Sequence, residues 1–293
     1  MQANARAQYI LAVAVCVVMI FAVLPAAAIE FPNIPNPFKG ERAPKGSGFI
    51  ALTFDDGPNP PALLGFDMQT KKPSRFPGLL DVLDRHGIKA TFFMMGWRLV
   101  PPAPPEMRQA ALKVNARGHQ IENHTYGHGQ FRTMARRYGE EWVLGDIERA
   151  SRVIEELTGR RPYFVRPPEW SIWKELREKI ERDPAGGERR YRVVTKSVGD
   201  IAEPPLYADV DTEDYRHYER DPAKRPRCYL VDCVKAKIRE RERQGLRGHV
   251  LVFHELPLSV EALEDIIPWL AKRGYTFVTL GSYMSIAANG GME

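Results

Sequence analysis

Seven short apolar or β-branched runs punctuate the chain, at Phe49 to Thr53, Ala90 to Met94, Gln120 to Asn123, Tyr163 to Val165, Arg192 to Ser197, Val250 to His254 and Thr276 to Leu280. Amphipathic stretches separate them. Leu79, Leu80, Val82 and Leu83 open one; Met107, Ala110, Ala111 and Val114 mark another; Trp142 to Leu157 form a third; Val260 to Leu270 form the last, before Gly274. Runs too short for helices, alternating with segments of helical period, predict an α/β architecture with parallel strands and helical crossovers. Asp55, His124, Arg166 and His254 fall just after such runs. That is where a closed βα barrel gathers its chemistry.

The ends of the chain read differently. Arg6, an apolar run from Tyr9 to Leu24, then Pro25 and Ala26-Ala27-Ala28 have the order of a secretory signal peptide over residues 1–28, which predicts export to the periplasm, the envelope or the medium. The competing reading is a retained anchor, because roughly 15 to 20 apolar residues approach a bilayer span, so contact with a membrane is expected only through an uncleaved leader. Residues 29–48 hold four prolines and three glycines without apolar periodicity and read as an extended linker before a domain at 49–293. With 44% apolar residues in 293, the chain can bury a sizeable core. Its formal charge of +5 comes from scattered residues of both signs, and no basic stripe interleaved with aromatics points to nucleic acid.

Two intervals break the rhythm. Residues 59–77 and 199–228 are polar and rich in proline, and loops of that length in a compact domain are commonly lids or walls of a site. Cys228 and Cys233 are the cysteines left after the leader, too few for a disulfide scaffold or a four-cysteine zinc site. On a helix expected from Tyr229 to Arg243, a spacing of five puts their Cα atoms roughly 8 to 9 Å apart, which favours two unpaired thiols.

The chemistry is concentrated in two strings. Thr53-Phe54-Asp55-Asp56-Gly57-Pro58 places adjacent carboxylates at a strand's end. Neighbours on an extended segment face opposite sides, so one acid can hold a cation while the other handles a proton. The second string is Asn123-His124-Thr125-Tyr126-Gly127-His128. Histidines four apart share one side of a helical turn, a spacing that suits one divalent ion once a carboxylate joins, and Asp56 is the candidate. Three protein ligands leave a position open for water or substrate, the pattern of catalytic zinc.

These strings resemble the first two motifs of the NodB-like polysaccharide deacetylases, carbohydrate esterase family four. The resemblance continues through Ala90-Thr91-Phe92-Phe93, Thr158-Gly159-Arg160-Arg161-Pro162, Arg166-Pro167-Pro168, Phe253-His254-Glu255 and Gly274-Tyr275-Thr276-Phe277-Val278, over residues 49 to about 284. It implies a distorted (β/α)7 barrel that removes N-acetyl groups from a polysaccharide or oligosaccharide. It further implies Asp55 as general base, Asp56, His124 and His128 as ligands of a divalent metal, usually Zn2+, His254 as general acid and Arg166 as the group that orients the base. The third motif departs from the family at Glu169-Trp170-Ser171, where an aromatic and a glycine are usual, which bears on substrate preference. For the fourth motif, Asp211-Thr212-Glu213-Asp214-Tyr215 offers Asp214 as the partner of His254, and Asp200 is the rival. Trp170 and Tyr215 are candidates for stacking on sugar rings. Peptidoglycan is the expected substrate of an exported protein of this kind. The alternatives are a metal amidase on a small nitrogen compound and a silent carbohydrate-binding protein on the same fold.

Overall fold

The structure is a computed structural model that describes residues 48–66, 70, 72–74, 77–182, 191–196, 208–220 and 228–288. The segment expected to be a signal peptide, the expected linker up to residue 47 and Asp200 lie outside the described residues, as do parts of both proline-rich intervals. In chain order the regular elements are β1 (Gly48–Gly57), α1 (Pro60–Leu64), α2 (Leu79–Arg85), β2 (Thr91–Met94), α3 (Pro105–Ala116), β3 (Gln120–Asn123), α4 (Phe131–Tyr138), α5 (Glu140–Thr158), β4 (Phe164–Val165) and α6 (Lys174–Glu181). They continue with β5 (Arg192–Val193), β6 (Val210–Asp211), α7 (Leu230–Arg243), β7 (Gly248–His254), α8 (Pro257–Lys272), β8 (Tyr275–Val278) and α9 (Leu280–Ala288). Single 3-10 turns lie at Gly96–Leu99, Pro168–Trp170 and Asp214–Tyr218.

The strands form one parallel sheet in the order β5-β4-β3-β2-β1-β7-β6, with β8 pairing to the first half of β1. This is the expected parallel α/β barrel, curled and distorted. The expectation missed β6, which lies within an interval read as loop. Two residues are too few to show a period of two, and only pairing with β7 makes Val210–Asp211 a strand. Among the described residues no helix is long and apolar enough to cross a membrane.

The pleat of β1 divides the core. Ile50, Leu52 and Phe54 pack into one cluster with side chains of α2, α3, α7 and α8, including Leu80, Val114, Val234 and Leu263. Phe49 and Ala51 join the other cluster with Phe93, Val165, Val250 and Leu280. Alternation then places Thr53 and Asp55 on the second face, beyond Ala51. In the β1–β7 register Asp55 lies opposite His254, so two sequence-distant polar residues meet at the same strand-end level.

The cysteine expectation is corrected. Cys228 precedes α7 rather than lying on it, the Cα atoms are 5.6 Å apart, and Cys228 and Cys233 form a disulfide. A helical spacing does not apply when one partner sits in the segment before the first turn.

Candidate active site

A cleft of ≈ 570 Å³ opens at the C-terminal ends of the strands, lined by Asp55, Asp56, His124, His128, Pro167, Glu169, Trp170, Asp211, Tyr215 and His254. Its size falls within the roughly 300–1,000 Å³ of ordinary ligand sites. Asp55 and Asp56 both face it, contrary to the expectation of opposite sides. The β1–β2 pairing is irregular between Phe54 and Gly57, and Asp56 has φ 64. A bulge with one left-handed residue turns the second carboxylate back beside the first.

The histidines reach Asp56 by a different route from the helical turn expected. β3 ends at Asn123, and residues 124–128 form a bend in which Thr125 and His128 are left-handed, with φ 70 and φ 58. Side chains satisfy its backbone: Asn123 Oδ1 accepts from Thr125 N–H at 2.6 Å, Thr125 Oγ1 from His128 N–H at 3.0 Å, and Asp146 Oδ2 from Tyr126 N–H at 3.0 Å. Asn123 is itself pinned to α5 by bonds to the Ile147 carbonyl and Ser151 Oγ, each 2.8 Å. The supporting role of Asp146 was not read from the sequence. An acid in mid-helix carries no local sign of the bend it serves.

Asp56 Oδ1 lies 3.2 Å from His124 Nε2 and 2.9 Å from His128 Nε2, and the three ligand atoms lie within 4.8 Å of one another. That oxygen is buried without a well-directed hydrogen bond. His124 Nδ1 donates to the Arg166 carbonyl at 2.8 Å. A carbonyl only accepts, so Nδ1 carries the proton, and Nε2 is the nitrogen turned towards the cluster. An orphaned carboxylate oxygen and convergent imidazole nitrogens fit a divalent cation such as zinc. Burial favours the neutral form of Asp56, but the two imidazoles outweigh it and hold the carboxyl well below the usual range. Asp56 in turn raises His128.

On the sheet side, Arg166 Nη1 donates to Asp55 Oδ1 at 2.6 Å and to Thr53 Oγ1 at 2.9 Å. Arg166 is wholly buried, with its guanidinium 4.0 Å over the Phe93 ring. Burial pushes the guanidinium's pKa down and Asp55 opposes that. Across the cleft, His254 Nδ1 donates to Asp214 Oδ1 at 2.6 Å, and the His254 N–H to Asp214 Oδ2 at 2.7 Å. Of the two acids considered, Asp214 is therefore the one seen bonded to His254. Burial alone would lower the imidazolium; Asp214 overrides it, and the pKa rises to about 9. The His254 ring leaves Nε2 for the cleft, 3.9 Å from Asp56 Oδ2.

Trp170 and Tyr215 both line the cleft, Tyr215 edge-on to His254 at 5.2 Å between centroids. Lys196, which the sequence reading did not single out, pairs with Asp211 at 2.5 Å and lies 5.0 Å over the Trp170 ring. Glu169 and Trp170 are both left-handed, with φ 53 and φ 58. Glu169 accepts from Gln130 Nε2 at 3.1 Å.

Comparison with known proteins gives a consistent picture. The family described as Polysaccharide deacetylase matches residues 42–184. Among curated proteins, a peptidoglycan-N-acetylglucosamine deacetylase, PgdA, of Listeria monocytogenes is 25% identical over 87% of this chain and 41% of its own length. The peptidoglycan-N-acetylmuramic acid deacetylase PdaC of Bacillus subtilis is 29% identical over 83% of this chain and 40% of its own length. The chain thus spans about two fifths of these relatives. The solved structure of peptidoglycan deacetylase PdaC from Bacillus subtilis superposes with a TM-score of 0.58 at 24% identity, covering 85% of this chain and 95% of that one. A CE4 family pseudoenzyme from Bacillus anthracis shares the fold equally well, with a TM-score of 0.58 at 20% identity over 83% of this chain and 68% of its own.

Proposed function

The chain belongs to the polysaccharide deacetylase family, and from that premise we propose that it is an exported, metal-dependent hydrolase that removes N-acetyl groups from sugars of a polysaccharide, with peptidoglycan as the substrate. One observation carries the reading. A carboxylate held by a buried arginine and a histidine raised by a buried carboxylate line the same cleft as a cluster of three potential metal ligands.

Asp56, His124 and His128 would hold the ion. A zinc ion bound by them supplies polarisation of the acetamide carbonyl and a water acidified towards neutral pH. Asp55 takes the proton of the attacking water: Oδ1 is committed to Arg166, which fixes the carboxylate plane and leaves Oδ2 for the proton. As the C–N bond breaks, the leaving nitrogen needs a proton, and His254 delivers it from Nε2 while Asp214 keeps Nδ1 protonated. The products are acetic acid, which ionises to acetate on release, and the free amino sugar, with one proton of the water on Asp55 and the proton of His254 on the amine. Trp170 and Tyr215, in the lining of the cleft, offer flat faces for sugar rings. The peptidoglycan deacetylase relatives support that polymer as substrate.

The test is acetate released from N-acetylglucosamine oligomers and from peptidoglycan, with and without a chelator, by wild type and by Asp55→Asn. Release that stops on chelation and in the variant is expected. Release that persists under either condition refutes the mechanism, and glycan binding without turnover assigns a silent binding protein instead.

A further inference from the structure

Glu255 takes no part in the chemistry above, yet it is buried against the turn that carries Asp56. It follows His254 at the end of β7, is 2% exposed, and its Oε2 accepts the backbone N–H of Asn59 at 2.5 Å. In the reverse direction, Asn59 Nδ2 donates to the Glu255 carbonyl at 2.7 Å. These reciprocal bonds tie the segment leaving β1 to the segment leaving β7, one residue beyond the level at which Asp55 pairs with His254. The fit is close. A Cβ built on Gly57 would lie 2.0 Å from Glu255 Oε1 and 2.8 Å from its Cδ, so the carboxyl rests against the backbone next to Asp56. Arg98 secures the same turn, with Nη1 donating to the Pro58 carbonyl at 3.3 Å.

An apolar side chain would fill this volume without desolvating a carboxyl. The task that requires an acceptor here is the Asn59 N–H. Without it, the turn at Gly57–Asn59 keeps only the Asn59 side-chain bond to the Glu255 carbonyl as its link to the end of β7. Asp56 would then lose one of the bonds, beside those to the Gly57 and Pro58 carbonyls, that hold the turn where its φ is 64, a region non-glycine residues disfavour.

We propose that Glu255 is a positioning residue of the metal centre: its carboxyl clamps the Gly57–Asn59 turn and so holds Asp56 where its Oδ1 meets His124 and His128, while the same clamp couples that turn to His254. The inference rests on the reading of Asp56, His124 and His128 as a metal centre. Burial raises the Glu255 pKa to about 8, so the neutral acid predominates at pH 7. A glutamine, neutral and of the same shape, keeps an oxygen for the Asn59 N–H. Outer-layer partners of this kind commonly set metal affinity by about 10 to 100-fold.

The experiment is a Zn2+ titration of the full metal-free chain against a competing chelator, for wild type, Glu255→Gln, Glu255→Ala and Glu255→Met, with hydrogen exchange followed at the Asn59 amide. Methionine fills the volume without an acceptor and serves if the alanine variant fails to fold. We expect Glu255→Gln to stay within about threefold of wild type, and the alanine and methionine variants to bind Zn2+ at least about tenfold more weakly, with faster exchange at Asn59. Equal Zn2+ affinity in all variants, or a glutamine variant as weak as methionine, overturns the proposal while leaving the metal centre standing. A wild-type chain that binds no Zn2+ overturns the metal centre and the clamp with it.

Discussion

Replacing Asp214 with Asn should uncouple His254 from the residue that sets its charge. Asp214 is fully buried, and its oxygens take four bonds: Oδ1 from His254 Nδ1 and Tyr215 N–H, Oδ2 from His254 N–H and Ser259 Oγ. An amide keeps one acceptor oxygen and turns the other position into a donor, so one orientation strands His254 Nδ1–H and Tyr215 N–H, and the other strands the His254 N–H while Ser259 Oγ can turn to accept. The larger effect is on His254, whose burial lowers the imidazolium while Asp214, followed by Asp55 and Asp56, lifts it from 6.5 to about 9. A folded-state pKa above the unfolded one stabilises the fold fully below about pH 6.5, and that stabilisation is lost as pH rises through about 9. The difference between the two values, at about 1.36 kcal/mol per pH unit, is about 3 kcal/mol. Urea unfolding of metal-free wild type and Asp214→Asn at pH 6 and pH 10 reads it directly. The variant's deficit should be about 3 kcal/mol larger at pH 6 than at pH 10, and an NMR titration should place His254 at or below its ordinary value. Equal deficits at the two pH values, or a His254 that still titrates near 9 in the variant, would refute the coupling.

Arg166→Met leaves Asp55 buried without its cation, and breaking such a pair costs about 3–5 kcal/mol, measurable by urea unfolding at pH 7 together with loss of acetate release. Joint replacement of Cys228 and Cys233 by Ala opens a loop with a sequence separation of only 5, so the denatured chain gains little freedom. The expected loss is about 2 kcal/mol by thermal or urea unfolding, with acetate release unchanged because neither cysteine lines the cleft.

Much of the fold was legible along the chain because strands and helices differ in period. The alternation of Phe49, Ala51 and Thr53 with Ile50, Leu52 and Phe54 is written in β1 itself, and the α5 and α8 faces repeat at helical spacing. β6 was not legible: two residues have no period, and their pairing with β7 depends on residues some forty positions away. The disulfide was misread for a related reason. A separation of five has one geometry inside a helix and another across its first turn.

By itself the sequence determined which groups the protein has for its chemistry, namely Asp55, Asp56, His124, His128, Arg166 and His254 in motifs whose order marks the family. Composition and local spacing carry that information because residue type sets what each group can donate, accept or ligate. Only the tertiary structure decided how they meet. A bulge turned Asp56 to the same cleft as Asp55, a left-handed bend rather than a helix brought His128 to His124, and Asp214 came within hydrogen-bond distance of His254. The clamp between Glu255 and Asn59 belongs to the same class of fact, joining residues 196 positions apart. Such contacts are set by strand register and by the packing of distant elements, and no local pattern encodes a distance between parts of the chain that meet only when the sheet closes.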